Sequence, residues 1–415
     1  MQVEKIPFAN LLSDIVDNRG RTCPTAEAGL PLIATNCIRN DLLYPAFEKV
    51  RHVSQETYDT WFRGHPKPGD LIFVCKGTPG RVCMAPDPVS FCIAQDMVAV
   101  RPNSKKIYPK YLFALLRSSR VQAQIETMHV GTLIPHFKKG DFDKLLLPIP
   151  TRELQETIGD MYFELSAKIE LNRRMNATLE AIARALFQSW FVNFDLVRTK
   201  LDGSHPPRLD LATATLFPNE FEHSELGPIP KSWRRTNLGE VVEVFDSKRV
   251  PLSGREREQR RGPYPYYGAA SVMDYVDDYL FDGVYMLMGE DGSVINEDGT
   301  PVTQYVWGKF WVNNHAHVLR GKGGICTEHL LLHLRNTNIS AFVTGAVQPK
   351  LNQANMNRIE FIMPSSEIAK AFAATVGPLF AKIRSNTDQS RTLAGIRDTL
   401  LPKLLPGELA ISRVH

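Results

Sequence analysis

The chain is written twice, and that restricts its fold more than any single motif does. Laid over residues 345–400 without a gap, residues 131–186 match at 13 of 56 positions, where ordinary residue frequencies would yield about three or four. The shared positions include Gly131/Gly345, Pro135/Pro349, Pro150/Pro364 and Glu153/Glu367, then Ala167-Lys168-Ile169 against Ala381-Lys382-Ile383. Upstream the likeness is weaker and gapped. GDLIFVCKGTPGRV (69–82) aligns with FDGVYMLMGEDGSV (281–294), FCIAQDMVAVR (91–101) with FWVNNHAHVLR (310–320), and YLFALLR (111–117) with HLLLHLR (329–335). A duplication of this length is expected to build one plan two times rather than a single undivided core. Short alternating runs broken by Gly and Pro predict strands in each copy, and each copy ends in a long helical pattern.

In the first helical pattern the seam runs Leu154, Ile158, Met161, Leu165, Ile169, Asn172, Met175, Leu179, Ile182 and Leu186. In the second it runs Ile368, Phe372, Val376, Leu379, Ile383, Asn386, Gln389, Leu393, Ile396 and Leu400. Spacings of three and four predict a narrow coiled-coil seam rather than a broad globular stripe. About 36 residues at ~1.5 Å each make a rod of roughly 50–55 Å. Thr151 and Ser365 are candidate N-caps. Pro402 and Gly407 are expected to stop the second helix, and Pro378 to bend it. Asn172 and Asn386 fall on equivalent positions, and two readings are open. They are polar residues near solvent, or a buried pair that fixes register between antiparallel helices at some cost in stability.

The expected fold is therefore α+β: two similar domains separated by two long antiparallel coiled-coil helices, with a pseudo-twofold internal repeat. The expected boundaries are a first domain at 1–150, a helix at 151–195, a connection at 196–230, a second domain at 231–364, a helix at 365–401 and a tail at 402–415. No apolar run approaches the ~18–20 residues of a membrane span. The start, MQVEKIPFANLLSDIV, lacks the basic-then-apolar plan of a secretory signal. Six cysteines without a C-x-x-C pair predict reduced, structural thiols and a cytoplasmic protein. A net charge of +4 permits nucleic-acid binding without establishing it.

Three strings carry a family resemblance: ALFQSWFVNFDLV (185–197), ELGPIPKSW (225–233) followed by LGEVVEV, and LLPKLLPGELAI (400–411). With the Gly-x-x-x-Pro run before each Pro-ended strand, they resemble the specificity subunits of type I restriction-modification systems. IPFANLLSDIV departs from the pattern, lacking the Pro-x-x-Trp lead-in that precedes Trp233. The resemblance implies two target-recognition domains, each reading one half of a split site on double-stranded DNA. It further implies helices that set the spacing and dock two methyltransferase subunits, with two restriction/translocase subunits completing the complex. Half-sites about one helical turn apart (~34 Å) place both domains on one face of the duplex.

Catalytic constellations are not expected. No G-x-G-x-x-G follows a strand, and no P-loop or Asn-Pro-Pro-Tyr motif occurs. S-adenosylmethionine, ATP and Mg are therefore expected on partner subunits, with no cofactor or metal in this chain. His329 and His333 (EHLLLH) are in the wrong order for a zinc helix. His315 and His317 alternate, so a strand would turn both to one side, as a metal pair, a polar face or a DNA contact. Asp291-Gly292 and Glu297-Asp298-Gly299 read as turns, although a self-contained nuclease around Glu290–Asp298 is the competing enzyme reading. A coiled-coil scaffold that reads no sequence is the other.

DNA-facing candidates lie in matching places. In the first domain the loop Lys76, Gly77, Thr78, Gly80 and Arg81 combines backbone access with charge. Its counterpart, Gly289, Glu290, Gly292 and Ser293, is acidic, and carboxylates can accept from cytosine, so the two domains are expected to read different half-sites. Asn36 and Arg39 occupy a place similar to Tyr266, Tyr267 and Gly268. Thr132, His136, Lys138 and Lys139 precede the first Pro-ended strand, as Gln348 and Lys350 precede the second; Asn313 and Asn314 stand beside His315. Phe187, Trp190, Phe191 and Phe194, with Leu400 and Leu404, are candidates for docking a methyltransferase or for the chain's own core.

Overall fold

The computed structural model describes residues 4–17, 22–128, 135–203, 211–224, 227–345 and 347–405. The chain divides into two compact units, one of residues 1–174 with 386–415 and one of residues 175–385. Each is described by itself.

In the first unit the central sheet is antiparallel, in the order Leu12–Asp17, Met97–Pro102, Leu71–Val74, Val82–Met84. Leu71–Val74 is buried along its whole length, which explains why LIFV reads as a continuous apolar run. A smaller sheet pairs Leu30–Ile33 antiparallel with Arg51–Val53 and parallel with Cys92–Ile93. Glu4–Pro7 pairs antiparallel with the Pro-ended strand Leu146–Ile149. The core holds Phe8, Phe73, Phe113, Phe137 and Phe142, and also Leu401 and Leu404 from the far end of the chain.

The second unit repeats this plan, with one strand more, Phe281–Asp282, added to its smaller sheet beside Lys309–Val312. Its antiparallel sheet runs Val242–Val244, Ala316–Gly321, Tyr285–Gly289, Thr303–Val306. Arg261–Tyr267 pairs antiparallel with Val272–Val276 and parallel with Lys309–Val312, while Arg234–Asn237 pairs with Glu360–Met363. The first domain therefore begins like the second, despite its missing Pro-x-x-Trp. The expected connection contains helices Asp195–Leu201 and Leu211–Leu216 and the hairpin Phe221–Ser224/Gly227–Pro230.

Both long helices form, Arg152–Phe187 and Ser366–Leu404. Ser365 Oγ accepts from the Ile368 N–H, an N-terminal cap. The second helix continues through Pro378 and Pro402 to Leu404, so Pro402 does not stop it; Gly407 lies outside the described residues. Within the first unit the pairing is antiparallel. Asn172, 1% exposed, donates to the Asn386 carbonyl at 3.2 Å and to Gln389 Oε1 at 2.9 Å. Six residues earlier, Ser166 meets Arg397. Within the second unit Asn176 reaches the Ile383 carbonyl, and Phe187, Trp190 and Phe191 surround Phe372. The Asn pair is buried, as the second reading has it.

The seam itself is displaced. Ser166, Glu170 and Arg397 are buried, whereas the seam candidates Ile182 and Ile396 are 43% and 44% exposed. Glu170 is tolerated there because Arg173 and Arg174 both bond its carboxylate and hold it below the usual carboxylate range, against the upward push of burial.

Candidate nucleic-acid interface

Three segments converge at one end of each central sheet, held by the same backbone bonds. In the first unit the Cys75 and Lys76 N–H groups donate to the Asp96 carbonyl, and the Gly77 N–H to the Pro135 carbonyl. In the second unit the Glu290 and Asp291 N–H groups donate to the His315 carbonyl, and the Gly292 N–H to the Pro349 carbonyl. Lys76 bridges to His136, and Asp291 to Lys350. Gly77 and Gly292 have φ of +85° and +81°, a left-handed conformation that favours glycine. Gly77 thus corresponds to Gly292 rather than to Gly289, a shift of three residues that the identical spacing of Gly77/Gly80 and Gly289/Gly292 conceals in the sequence. Gly289 ends the strand itself, where a Cβ would fall 2.1 Å from the Ser293 carbonyl oxygen.

The side chains on this framework differ, with Lys76 of the first unit replaced by Asp291 in the second. Lys76 approaches Asp96 at 4.0 Å in the first unit, and Asp291 approaches His315 at 3.7 Å in the second. Asp291 also accepts from Gln348 at 2.8 Å and lies 3.6 Å from the Lys350 ammonium. Asn314 and Ser293 are exposed beside this cluster. In the first unit Lys138 is exposed with no ion pair among the described residues, and Lys139 binds Asp17 at 2.6 Å. Arg81 and Thr78 are partly exposed, while Gly80 is covered by Gln122, which donates to its carbonyl. Thr132 lies outside the described residues.

Other candidates take different places. Tyr266 is 1% exposed and its hydroxyl accepts from the Leu252 N–H; Tyr267 is 9% exposed in an aromatic cluster. Both are core residues. Asn313 is buried, with its carbonyl oxygen turned to the His315 N–H. Gly268 closes a turn onto Ser271. Asn36 donates to the Glu48 carbonyl and Arg39 pairs with Asp41, and none of their contacts among the described residues reaches the loop at 76–81. The aromatic docking candidates are also interior: Phe187 and Trp190 are each 2% exposed, Phe191 7% and Phe194 8%. Leu404 is 2% exposed, and Leu400 packs against the first unit's core.

His315 and His317 do not share a side. His315 precedes its strand and is exposed, whereas His317 is fully buried. The His317 ring lies 2.6 Å from an Asp246 oxygen through Nδ1 and 2.8 Å from the Leu351 carbonyl through Nε2. Both neighbours are acceptors, an arrangement satisfied when both ring nitrogens carry a proton; burial opposes that charge, but Asp246 and the Leu351 carbonyl raise the ring's proton affinity above the ordinary histidine range. Asp246, Glu290 and His317 have metal-like proximity, but Arg249 already forms ion pairs with both carboxylates. The remaining nuclease candidates are similarly engaged. Asp298 accepts from the Thr300 N–H and hydroxyl in its own turn. His329 is buried among Phe187, Phe191, Phe361 and Phe372. The six thiols are unpaired, and burial pushes Cys75, Cys92 and Cys326 up to about 12, away from reactive thiolate. Among the described residues no helix is long and apolar enough to cross a membrane.

Two sheets of one topology, each displaying a rebuilt loop cluster, define a duplicated recognition module. A family model described as the type I restriction modification DNA specificity domain matches residues 23–181 and 230–393, so the chain belongs to that family. It is 26% identical to the type I restriction enzyme HindI specificity subunit of Haemophilus influenzae, over 83% of this chain and 87% of that one. It is 24% identical to the MjaIX specificity subunit of Methanocaldococcus jannaschii, over 78% of this chain and 75% of that one. The fold resembles the crystal structure of a type I restriction-modification S subunit from M. genitalium, with a TM-score of 0.51 at 16% identity, covering 97% and 96% of the two chains.

Proposed function

We propose that this chain reads a bipartite sequence on double-stranded DNA, one half-site per domain, through the loop clusters at 76–81 with 135–139 and at 290–293 with 348–352. The observation that carries this reading is one backbone framework filled by different side chains: Lys76, Asp96 and His136 in the first unit, Asp291, His315 and Lys350 in the second, with Lys76 replaced by the oppositely charged Asp291. A shared framework presents the loops alike, and exchanged donors and acceptors make them prefer different base edges. Phosphate contacts from Arg81, Lys138 and Lys350 would position the duplex without reading it.

The chain itself supplies recognition and no chemistry. S-adenosylmethionine, ATP and Mg belong to two methyltransferase and two restriction/translocase subunits in the cytoplasm. Because the aromatic candidates are interior, docking falls instead to exposed apolar positions on the long helices. Ile182 and Ile396 correspond under the repeat and are almost equally exposed, as a twofold arrangement of partners requires.

The test is methylome mapping in a host carrying this chain with its partners. Replacing residues 1–150 with another family member's first domain should change one half-site and leave the other. A motif altered in both halves would mean a single composite reading surface. Purified chain with Mg²⁺ and plasmid should leave the plasmid uncut; cleavage would establish the nuclease reading.

A further inference from the structure

We infer that His317 is the positioning residue of the second domain's reading segment, a buried imidazolium that ties the segment 348–352 to the central sheet, and that recognition by this domain alone is therefore proton-dependent. This rests on the reading of that cluster as a DNA-recognition surface.

The geometry is that of a three-way joint. Asp246 follows the edge strand Val242–Val244; one of its carboxylate oxygens accepts from the Val318 N–H at 2.9 Å and the other meets His317 Nδ1. His317 Nε2 donates to the Leu351 carbonyl, and the Leu351 N–H donates to the Glu290 carbonyl at 2.9 Å. Leu351 adjoins Lys350, so the joint fixes the segment carrying two of the candidate readers. The charged groups facing His317 are Asp246, Glu290 at 3.7 Å, and Arg249, which forms ion pairs with both carboxylates. Two carboxylates and two cations balance only while the ring is charged. Next along the segment, Lys350 and His315 share Asp291.

Deprotonation has no harmless outcome. A neutral ring keeps one N–H. If it stays on Nε2, the Nδ1 lone pair faces the Asp246 carboxylate; if it stays on Nδ1, the Nε2 lone pair faces the Leu351 carbonyl. One contact becomes repulsive either way. Burial lowers the ring's affinity for a proton, but Asp246, the Leu351 carbonyl and Glu290 together raise it above the ordinary histidine range. The joint is thus complete at low pH and is lost as pH rises through that raised value.

The first domain meets the same need with a lysine in place of the histidine. Register along the paired strands places Asp17 opposite Val98, as Asp246 is placed beside His317. Asp17 takes the ammonium of Lys139, which belongs to the reading segment itself, at 2.6 Å. An aspartate at the corresponding position serves in each unit, Asp17 with a lysine and Asp246 with a histidine.

The experiment is amide exchange on the full chain between pH 6 and 9, expressed as protection factors for the segments 135–139 and 348–352. Protection at Lys350 and Leu351 should fall as pH rises, by up to about tenfold per pH unit as one-proton linkage allows, while 135–139 stays level. Asp246→Asn is the decisive variant. Its amide can donate to a neutral Nδ1 while its oxygen still accepts from Val318, so protection should persist and lose its pH dependence. His317→Gln is the second variant and should also flatten the profile, at lower protection. A level wild-type profile, or an unchanged slope in Asp246→Asn, overturns the inference. In parallel, the duplex defined by the methylome and two versions with one half scrambled are titrated at pH 6.5 and 8.5. Loss of discrimination at the second domain's half alone supports the inference. Discrimination of neither half, with the exchange profile as expected, sinks the DNA reading and leaves the joint standing.

Discussion

At Gly159 a single methyl group would collide with backbone. A Cβ there would lie 2.5 Å from the Tyr111 nitrogen and 2.9 Å from the Lys110 carbonyl carbon, atoms that cannot rotate away. Gly159→Ala should therefore destabilise the first unit by about 1–3 kcal/mol despite alanine's better helix propensity, and thermal melts should show a lower transition. No change would mean that the helix can shift off its neighbour. His329 makes a different prediction. Burial holds its ring neutral, lowered to about 3 from 6.5, so the unfolded chain binds the proton more readily than the folded one. Stability is whole above pH 6.5 and is lost as pH falls toward 4, by about 1.4 kcal/mol per pH unit. His329→Leu should remove one proton from that slope in denaturant titrations at pH 4.5 and 6.5; an unchanged slope would place the acid sensitivity elsewhere.

Among the elements, the long helices show what apolar spacing can and cannot reveal. Ile158, Phe372, Val376 and Ile383 are buried where a three-four seam puts them, and the Asn pair lies inside. The middle and ends are different. Tyr162, Ser166, Glu170 and Arg397 turn inward, and Ile182 and Ile396 turn out. Spacing reports which residues share a stripe, but ion pairs and hydrogen bonds decide where a stripe is anchored, and these need partners distant in sequence. The loop clusters were legible for the same reason in part. Glycine and proline marked where Gly77, Gly292 and Pro349 would lie, whereas the roles of Asp17, Asp96 and Asp246 depend wholly on tertiary neighbours. Burial of Tyr266 and Tyr267 was equally illegible, since YPYYG reads the same on a strand facing either way. The exposed isoleucines carry this scale's prediction. Ile182→Asp and Ile396→Asp should each leave a folded chain that binds one methyltransferase subunit fewer in native mass spectrometry. Full stoichiometry in both would move the docking surface off this face.

In the molecule as a whole, the first unit is discontinuous in sequence and the second is not. Residues 386–405 bring Arg397, Leu401 and Leu404 into the first unit's interior, while the second is made from one uninterrupted stretch. A ribosome therefore releases everything the later-encoded unit needs before the earlier-encoded one has its last helix. Domains commonly fold in order of synthesis, but here the order should invert. Nascent chains stalled with residue 385 outside the exit tunnel should resist protease across 175–385 and remain cleavable within 71–128. Protection should spread to that region only once residues through 405 emerge. Equal resistance in both at the earlier stall point would show that the first core closes without its last helix.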